Sequence, residues 1–364
     1  MIKVLHYGIG SNLGGIETYL QKISKFIDHS RFQFDFVVSG DTLAPGFEKF
    51  IQNGSKFYFI SSRRENPTQN RTEFEQIIIN NHYDIIHCHL LSLSYALPIR
   101  LGLKYDIPVI VHSHSSKSPK SIITRSLHFF NKKWLKGKDV KALAVSKLAA
   151  DWMFDTKTDV DVINNGIEIS KYKFNISDRE TIRKELQIHG KYVVIHIGTL
   201  KEVKNHNFLL EVFSKIKKNI PNSVLLLVGG DGNIREKINK QIIELNLQDS
   251  VIFTGTRMDI PMLLSASDGL VFPSFYEGFP GAVIEAQTSG LPTVISDTIT
   301  DEVIITPLCK SLSLNKTSEE WANELLEIPK YENRENASKE VDARGLSVQK
   351  EIKKIERIYS EILG

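Results

Sequence analysis

Two hydrophobic periods alternate along this chain. Near-continuous apolar runs of strand length occur at 2–7, 32–38, 56–60, 83–90, 108–114, 141–146 and 160–164, and helical stripes separate most of them. After Gly15, the apolar positions Ile16, Tyr19, Leu20, Ile23 and Ile27 fall on one helix face. Strands without polar alternation are buried on both sides, so this order predicts a parallel sheet covered by helices. The stretch from about 168 to 190 is polar and reads as a linker plus a helix. The alternation then restarts at 192–197, 223–228, 250–254, 269–272 and 292–296, with Phe208, Leu209, Val212, Phe213 and Ile216 marking a helix face. The prediction is α/β: two Rossmann-like domains, 1–170 and 171–345, and a charged terminal helix at 346–364. A chain of 364 residues exceeds the size at which one core stops growing, which agrees with two domains. Ligands of open parallel sheets sit beyond the strands' carboxyl ends. Two such sheets facing one another are expected to make a central cleft.

Composition narrows the setting. The longest apolar stretch, near 90–103, is interrupted by Ser92, Ser94, Pro98 and Arg100 and is too polar to span a bilayer. Residues Met1 to Leu5 read directly as a strand, not a secretory leader. Cys88 and Cys309 are too few for a disulfide framework, so reduced thiols in a cytoplasmic protein are expected. The formal net charge is +3, but the charge is clustered. Lys117, Lys120, Arg125, Lys132, Lys133, Lys136, Lys138 and Lys141 are opposed only by Asp139 within 117–141. Ile122, Ile123, Leu127, Phe129, Phe130, Trp134 and Leu135 are interleaved with them. Such a segment suits peripheral contact with an anionic inner-membrane surface, and it equally fits a solvated face over a buried stripe. No nucleic-acid module accompanies the charge, and nucleic acid is not an expected partner.

The strongest chemical signal is Glu277-Gly278-Phe279-Pro280-Gly281-Ala282-Val283-Ile284-Glu285, two carboxylates with seven residues between them. It follows the apolar strand Leu270–Pro273 and opens a short helix that Gly290 ends, with Pro280 suited to the first helical position. The N–H groups of Gly281 and Ala282 would then face an anion. Two acids beside an anion site suit a ligand with both phosphates and hydroxyls, such as a nucleotide sugar.

This element resembles the E-x7-E motif of retaining glycosyltransferases of family 4, which have the GT-B fold. The resemblance covers nearly the whole chain and is closest to bacterial transferases of exopolysaccharide and capsule biosynthesis. Ile2–His6 and Gly14-Gly15-Ile16-Glu17-Thr18 look like that family's first strand and Gly-Gly loop. Ile195–Leu200, Lys204-Asn205-His206, Leu226–Gly232 and Phe253-Thr254-Gly255 follow in the family's order. The resemblance implies a transferase that takes a sugar from a nucleotide sugar, uridine-linked, and delivers it to a glycan or a polyprenyl-diphosphate-linked acceptor. It implies Lys204 on the donor diphosphate, Glu277 at the transferred sugar and Glu285 on the ribose hydroxyls. The backbone of Gly278, Phe279, Pro280, Gly281 and Ala282 would line the sugar and diphosphate. Gly14 and Gly15 would allow close phosphate approach. His114 matches the family's acceptor-side histidine, and Arg257 is a candidate for the nucleobase pocket. One position departs from the family: Thr199 stands where an arginine is usual, and a hydroxyl cannot replace a guanidinium fork.

His87 with His89, and His112 with His114, are pairs two apart that share a strand face and raise the question of a metal. No nearby carboxylate completes a ligand set and the family works without metal, so no cofactor is expected. Two other readings use the same fold. One is a nucleotide-sugar epimerase or hydrolase, and the other a non-catalytic partner subunit.

Overall fold

The computed structural model describes residues 1–115, 121–331 and 333–364; Lys117 and Lys120 of the basic segment lie outside them. The chain packs as two units, Met1–Gly166 with Val348–Gly364, and Ile167–Ser347.

In the first unit seven strands are described: β1 (Ile2–Ile9), β2 (Phe32–Ser39), β3 (Phe57–Ile60), β4 (Ile85–Leu90), β5 (Val109–Ser113), β6 (Lys141–Ala144) and β7 (Val160–Val162). They form one parallel sheet in the order β3-β2-β1-β4-β5-β6-β7. The order reverses between β1 and β4, which makes their carboxyl ends the switch point where ligands of such sheets bind. Alternation along each strand sorts the two faces. Leu5, Tyr7, Val37, Ile86, Cys88 and Val111 pack on one side. Val4, Phe32, Phe34, Phe36, Ile85 and Ile110 pack on the other, under Tyr19, Leu20 and Ile23 of the helix Gly15–Phe26.

The terminal helix Val348–Glu361 belongs to this second face. Its apolar stripe Val348, Ile352, Ile355 and Tyr359 is buried there, a spacing its sequence already shows. Glu351 anchors it: the buried carboxylate meets Lys22 Nζ at 2.8 Å and accepts the Gly166 N–H at 2.9 Å. Burial pushes the Glu351 carboxyl pKa up, and Lys22 opposes that shift.

The second unit repeats the plan with β8 (Tyr192–Ile197), β9 (Ser223–Val228), β10 (Val251–Gly255), β11 (Gly269–Phe272), β12 (Thr293–Ser296) and β13 (Cys309–Leu312). The parallel order is β10-β9-β8-β11-β12-β13, so the switch point lies between β8 and β11. Trp321 is fully buried in its core, and its indole N–H donates to the Ser313 carbonyl at 3.1 Å. Both cysteines are buried free thiols, and burial raises the pKa of each.

The structure adds three local details. The edge strand β13 escapes the periodicity reading because Lys310 is exposed and the run is four residues long. Pro280 is the residue before the short helix, not its first member; its ψ of 107° is extended and the helix spans Gly281–Thr288. Lys204 lies in a single 3₁₀ turn, Glu202–Lys204, and Asn205 at φ 53° separates it from the helix His206–Asn219.

Candidate active site

The loops that follow β8 and β11 bring the main group together. A Cβ on Gly198 would stand 2.8 Å from Lys204 Cε, so glycine is what lets the lysine stem pass the end of β8. Gly229, at φ +149°, presses the loop after β9 against the Gly198 carbonyl, where a Cβ would overlap it. The Phe275 N–H donates to the Val203 carbonyl at 2.9 Å and ties the loop after β11 to the lysine's turn. Held between these loops, Lys204 Nζ meets Glu277 Oε1 at 2.7 Å and lies 4.6 Å from the Phe272 ring centroid. Each side chain of the pair is about four-fifths covered, at 18% and 21% exposure.

Glu285 lies on the helix that the loop after β11 enters. Its Oε1 lies 3.6 Å from where a Cβ on Gly281 would be, so the carboxylate folds back over the first turn of its helix. The Val283 N–H donates to the Pro280 carbonyl at 3.1 Å, and the N–H groups of Gly281 and Ala282 have no acceptor within the helix. Tyr172 hydrogen-bonds the Glu285 carboxylate, and burial followed by that carboxylate raises the tyrosine's pKa. Phe279 is buried, which leaves its backbone rather than its ring to face a ligand. Thr199 follows Gly198 just beyond the end of β8, and its carbonyl accepts the Lys201 N–H at 2.7 Å.

Arg334 fixes the far end of the Glu285 helix. Its guanidinium donates to the carbonyls of Ser289 at 2.9 Å, Ser267 at 2.9 Å and Leu264 at 3.1 Å. It thereby caps this helix and the helix Ile260–Ala266 at their carboxyl ends. Burial among neutral carbonyls lowers its pKa to about 9. Tyr172 and Arg334 carry no motif signal, because each acts through a contact distant in sequence.

Arg257 is placed differently. At the end of edge strand β10 its guanidinium binds both oxygens of Asp259, at 2.8 and 2.6 Å, and Glu185 at 2.7 Å. These two carboxylates raise its pKa. They share the donors that a nucleobase would need.

In the first unit, the Gly14-Gly15 loop closes over Glu17. The Gly10 N–H donates to Glu17 Oε1 at 2.8 Å, and a Cβ on Gly14 would stand 2.9 Å from Glu17 Oε2. His114, half-buried at the end of β5, joins His6, His87, His89 and His112 in one group of imidazoles on the face under the terminal helix. Sequence spacing shows two pairs; the third strand's contribution, His6, appears only when β1 pairs with β4. Burial holds all five neutral, with pKa values of about 3 at His6 and His114 and well below the usual range at the others.

The helix Ile122–Leu135 buries His128 and Leu135 and turns the opposite side outward. His128 stacks on Trp152 with ring centroids 3.9 Å apart. Ile123 and Phe130, 73% and 74% exposed, share the outer side with Leu127. The apolar stripe of the basic segment is thus outside, not buried.

Comparison with known proteins agrees with the two-sheet architecture. Residues 13–171 match the family described as Glycosyltransferase Family 4, and residues 178–342 match Glycosyl transferases group 1. The chain is 30% identical to the putative glycosyltransferase EpsF of Bacillus subtilis (strain 168), over 88% of this chain and 86% of that protein. It is 25% identical to the UDP-Gal:alpha-D-GlcNAc-diphosphoundecaprenol alpha-1,3-galactosyltransferase of Escherichia coli, over 81% and 79% of the two chains. The structure of Anabaena Alr3699/HepE in complex with UDP-glucose superposes with a TM-score of 0.82 at 20% identity, covering 99% of this chain and 100% of that one. The two parallel-sheet units and these matches lead to one conclusion: the chain belongs to glycosyltransferase family 4, with the GT-B fold.

Proposed function

We propose that this glycosyltransferase moves a hexosyl or N-acetylhexosaminyl group from a UDP-sugar to a polyprenyl-diphosphate-linked glycan, with retention at the anomeric carbon, in building a cell-surface polysaccharide. The observation that carries the reading is the Lys204–Glu277 pair at 2.7 Å, set beside the helix turn over which Glu285 folds. Support for the ligands comes from the relative named for a UDP-galactose donor and a diphosphoundecaprenol acceptor, and from the structural neighbour that holds UDP-glucose.

In this reading the glycosyl–phosphate bond breaks while Lys204 and the N–H groups of Gly281 and Ala282 neutralise the departing diphosphate. Glu277 holds sugar hydroxyls and favours the positive charge that develops on the ring. The acceptor oxygen bonds to the anomeric carbon from the same face, and its proton passes to the leaving phosphate. Glu285, oriented by Tyr172, takes the ribose hydroxyls. Thr199 adds one neutral hydrogen bond where relatives place a cation. Gly14 and Gly15 leave room for close phosphate approach, and His114 is the acceptor-side histidine. This chemistry uses no metal.

Transfer assays with UDP-, GDP- and ADP-sugars and a polyprenyl-diphosphate glycan test the proposal, with the product's anomeric configuration read by NMR. Full-rate consumption of the nucleotide sugar without acceptor would instead mark an epimerase or hydrolase. Glu285→Ala is expected to raise the donor KM about 10–100-fold, the worth of hydrogen bonds to a charged group. A fall in kcat alone would remove Glu285 from the ribose.

The outward face of Ile123, Leu127 and Phe130 is proposed to rest on an anionic membrane surface. No helix among the described residues is long and apolar enough to cross a membrane. Arg125, Lys133 and Lys138 flank the exposed stripe, while Lys132 is partly used in capping the helix Lys147–Met153 through the Asp151 and Trp152 carbonyls. Flotation with phosphatidylglycerol vesicles, and not with phosphatidylcholine alone, is the expected result. Ile123→Asp with Phe130→Asp should abolish it, and undiminished flotation would reject the surface.

A further inference from the structure

We propose that His89, His112 and His114 form a site for a divalent transition-metal ion of the kind that prefers imidazole, with zinc as the nearest fit. One ring nitrogen from each lies within 4.8 Å of the others, and His6, His87 and His89 form a second such set below. The pairing of β4 with β5 puts His89 beside His112, and His114 follows at the half-buried strand end, where an ion can enter. His89 Nδ1 and His114 Nε2 are 3.0 Å apart. A tetrahedral ion with Zn–N bonds of about 2.0–2.1 Å holds its ligands about 3.3–3.4 Å apart, so the rings need separate by only a few tenths of an ångström.

The hydrogen bonds behind these rings point the same way. A metal-bound imidazole gives its second N–H to an outer acceptor, which fixes tautomer and orientation. Carboxylates, backbone carbonyls or water commonly fill that role. Here imidazoles fill it. His89 Nε2 lies 3.0 Å from His6 Nδ1, and His112 Nδ1 lies 3.2 Å from His87 Nε2. His87 Nδ1 continues to the Tyr359 hydroxyl at 2.7 Å. With protons running from His89 to His6, and from His112 through His87 to Tyr359, His89 Nδ1 and His112 Nε2 are bare lone pairs. His112 Nε2 is buried with no partner among the described residues, so an ion would satisfy an otherwise orphaned atom. His114 reaches the same state by moving its proton to Nδ1. Neutral nitrogen ligands and no carboxylate select zinc, copper, nickel or cobalt over magnesium or calcium. The set shares His114 with the acceptor-side role proposed above, and none of the donor residues Lys204, Glu277 and Glu285 belongs to it.

Equilibrium dialysis of the full chain against Zn²⁺, followed by quantification of bound metal, tests the site. One equivalent should bind. His112→Gln and His114→Gln should each weaken binding by more than the 10–100-fold typical of an outer-shell change, and His87→Gln by about that range. No uptake by the wild-type chain would overturn the proposal. So would equal uptake by a folded His112→Gln, His114→Gln double variant, which would put the ion elsewhere. If the core variants do not fold, Co²⁺ added to the wild type decides: nitrogen-ligated cobalt gives intense visible bands, and the weak spectrum of hydrated cobalt would count against the site.

Discussion

Lys204→Ala is expected to lower kcat/KM for sugar transfer by about 10²–10³, the usual cost of removing one preorganised charge from a developing anion. The loss should fall mainly on kcat, because the diphosphate gains charge as the glycosidic bond breaks. Three features aim this lysine: Gly198 clears a path for its stem, Phe272 lies beneath its ammonium, and Glu277 receives it at 2.7 Å. With threonine at position 199, no second family cation shares the load, so the effect should be at the upper end of the range. Glu277→Gln should also lose transfer while still binding nucleotide. Because the two side chains act as one pair, the double variant should cost little more than the worse single one. Additive losses would show two independent sites, and unchanged turnover in Glu277→Gln would remove that residue from the chemistry.

Acidification is the second large effect. The pKa values of His6, His87, His89, His112 and His114 are depressed in the folded chain by burial, to about 3 at His6 and His114. In the unfolded chain they bind protons near pH 6.5. The folded state therefore carries fewer protons, and stability falls as pH drops below about 6.5. All five shifts have the same sign, so their effects on stability reinforce one another as pH falls. The second unit holds fewer such groups among its described residues, His196 and His206, the latter with a pKa lowered to about 4. Hydrogen exchange in chelator at about pH 7 and about pH 5.5 should show protection falling faster with pH in Met1–Gly166 than in Ile167–Ser347. Equal loss in both units would mean that the histidine group is not the acid-sensitive element.

Much of this was legible in the chain. Strands buried on both faces announce themselves as unbroken apolar runs, which is why β8, β9 and β11 fall where the pattern puts them. Glu277 and Glu285 stood out as candidates because Gly and Pro beside a strand end limit what the backbone can do. What escaped depends on contacts distant in sequence. Tyr172 reaches Glu285, and Glu185 claims Arg257, without any local pattern to announce them. His6 joins the other histidines only through strand register. Periodicity also shows that the helix Ile122–Leu135 has an apolar side without saying which way it turns, and here Ile123 and Phe130 face outward.

The most direct test is calorimetric titration of UDP into the wild type, Lys204→Ala and Glu285→Ala. The structure predicts one site per chain, weakened in both variants, with the Glu285 loss also present for uridine and the Lys204 loss absent for it. Affinity for UDP unchanged by either substitution would contradict the assignment of this loop and helix as the donor's seat.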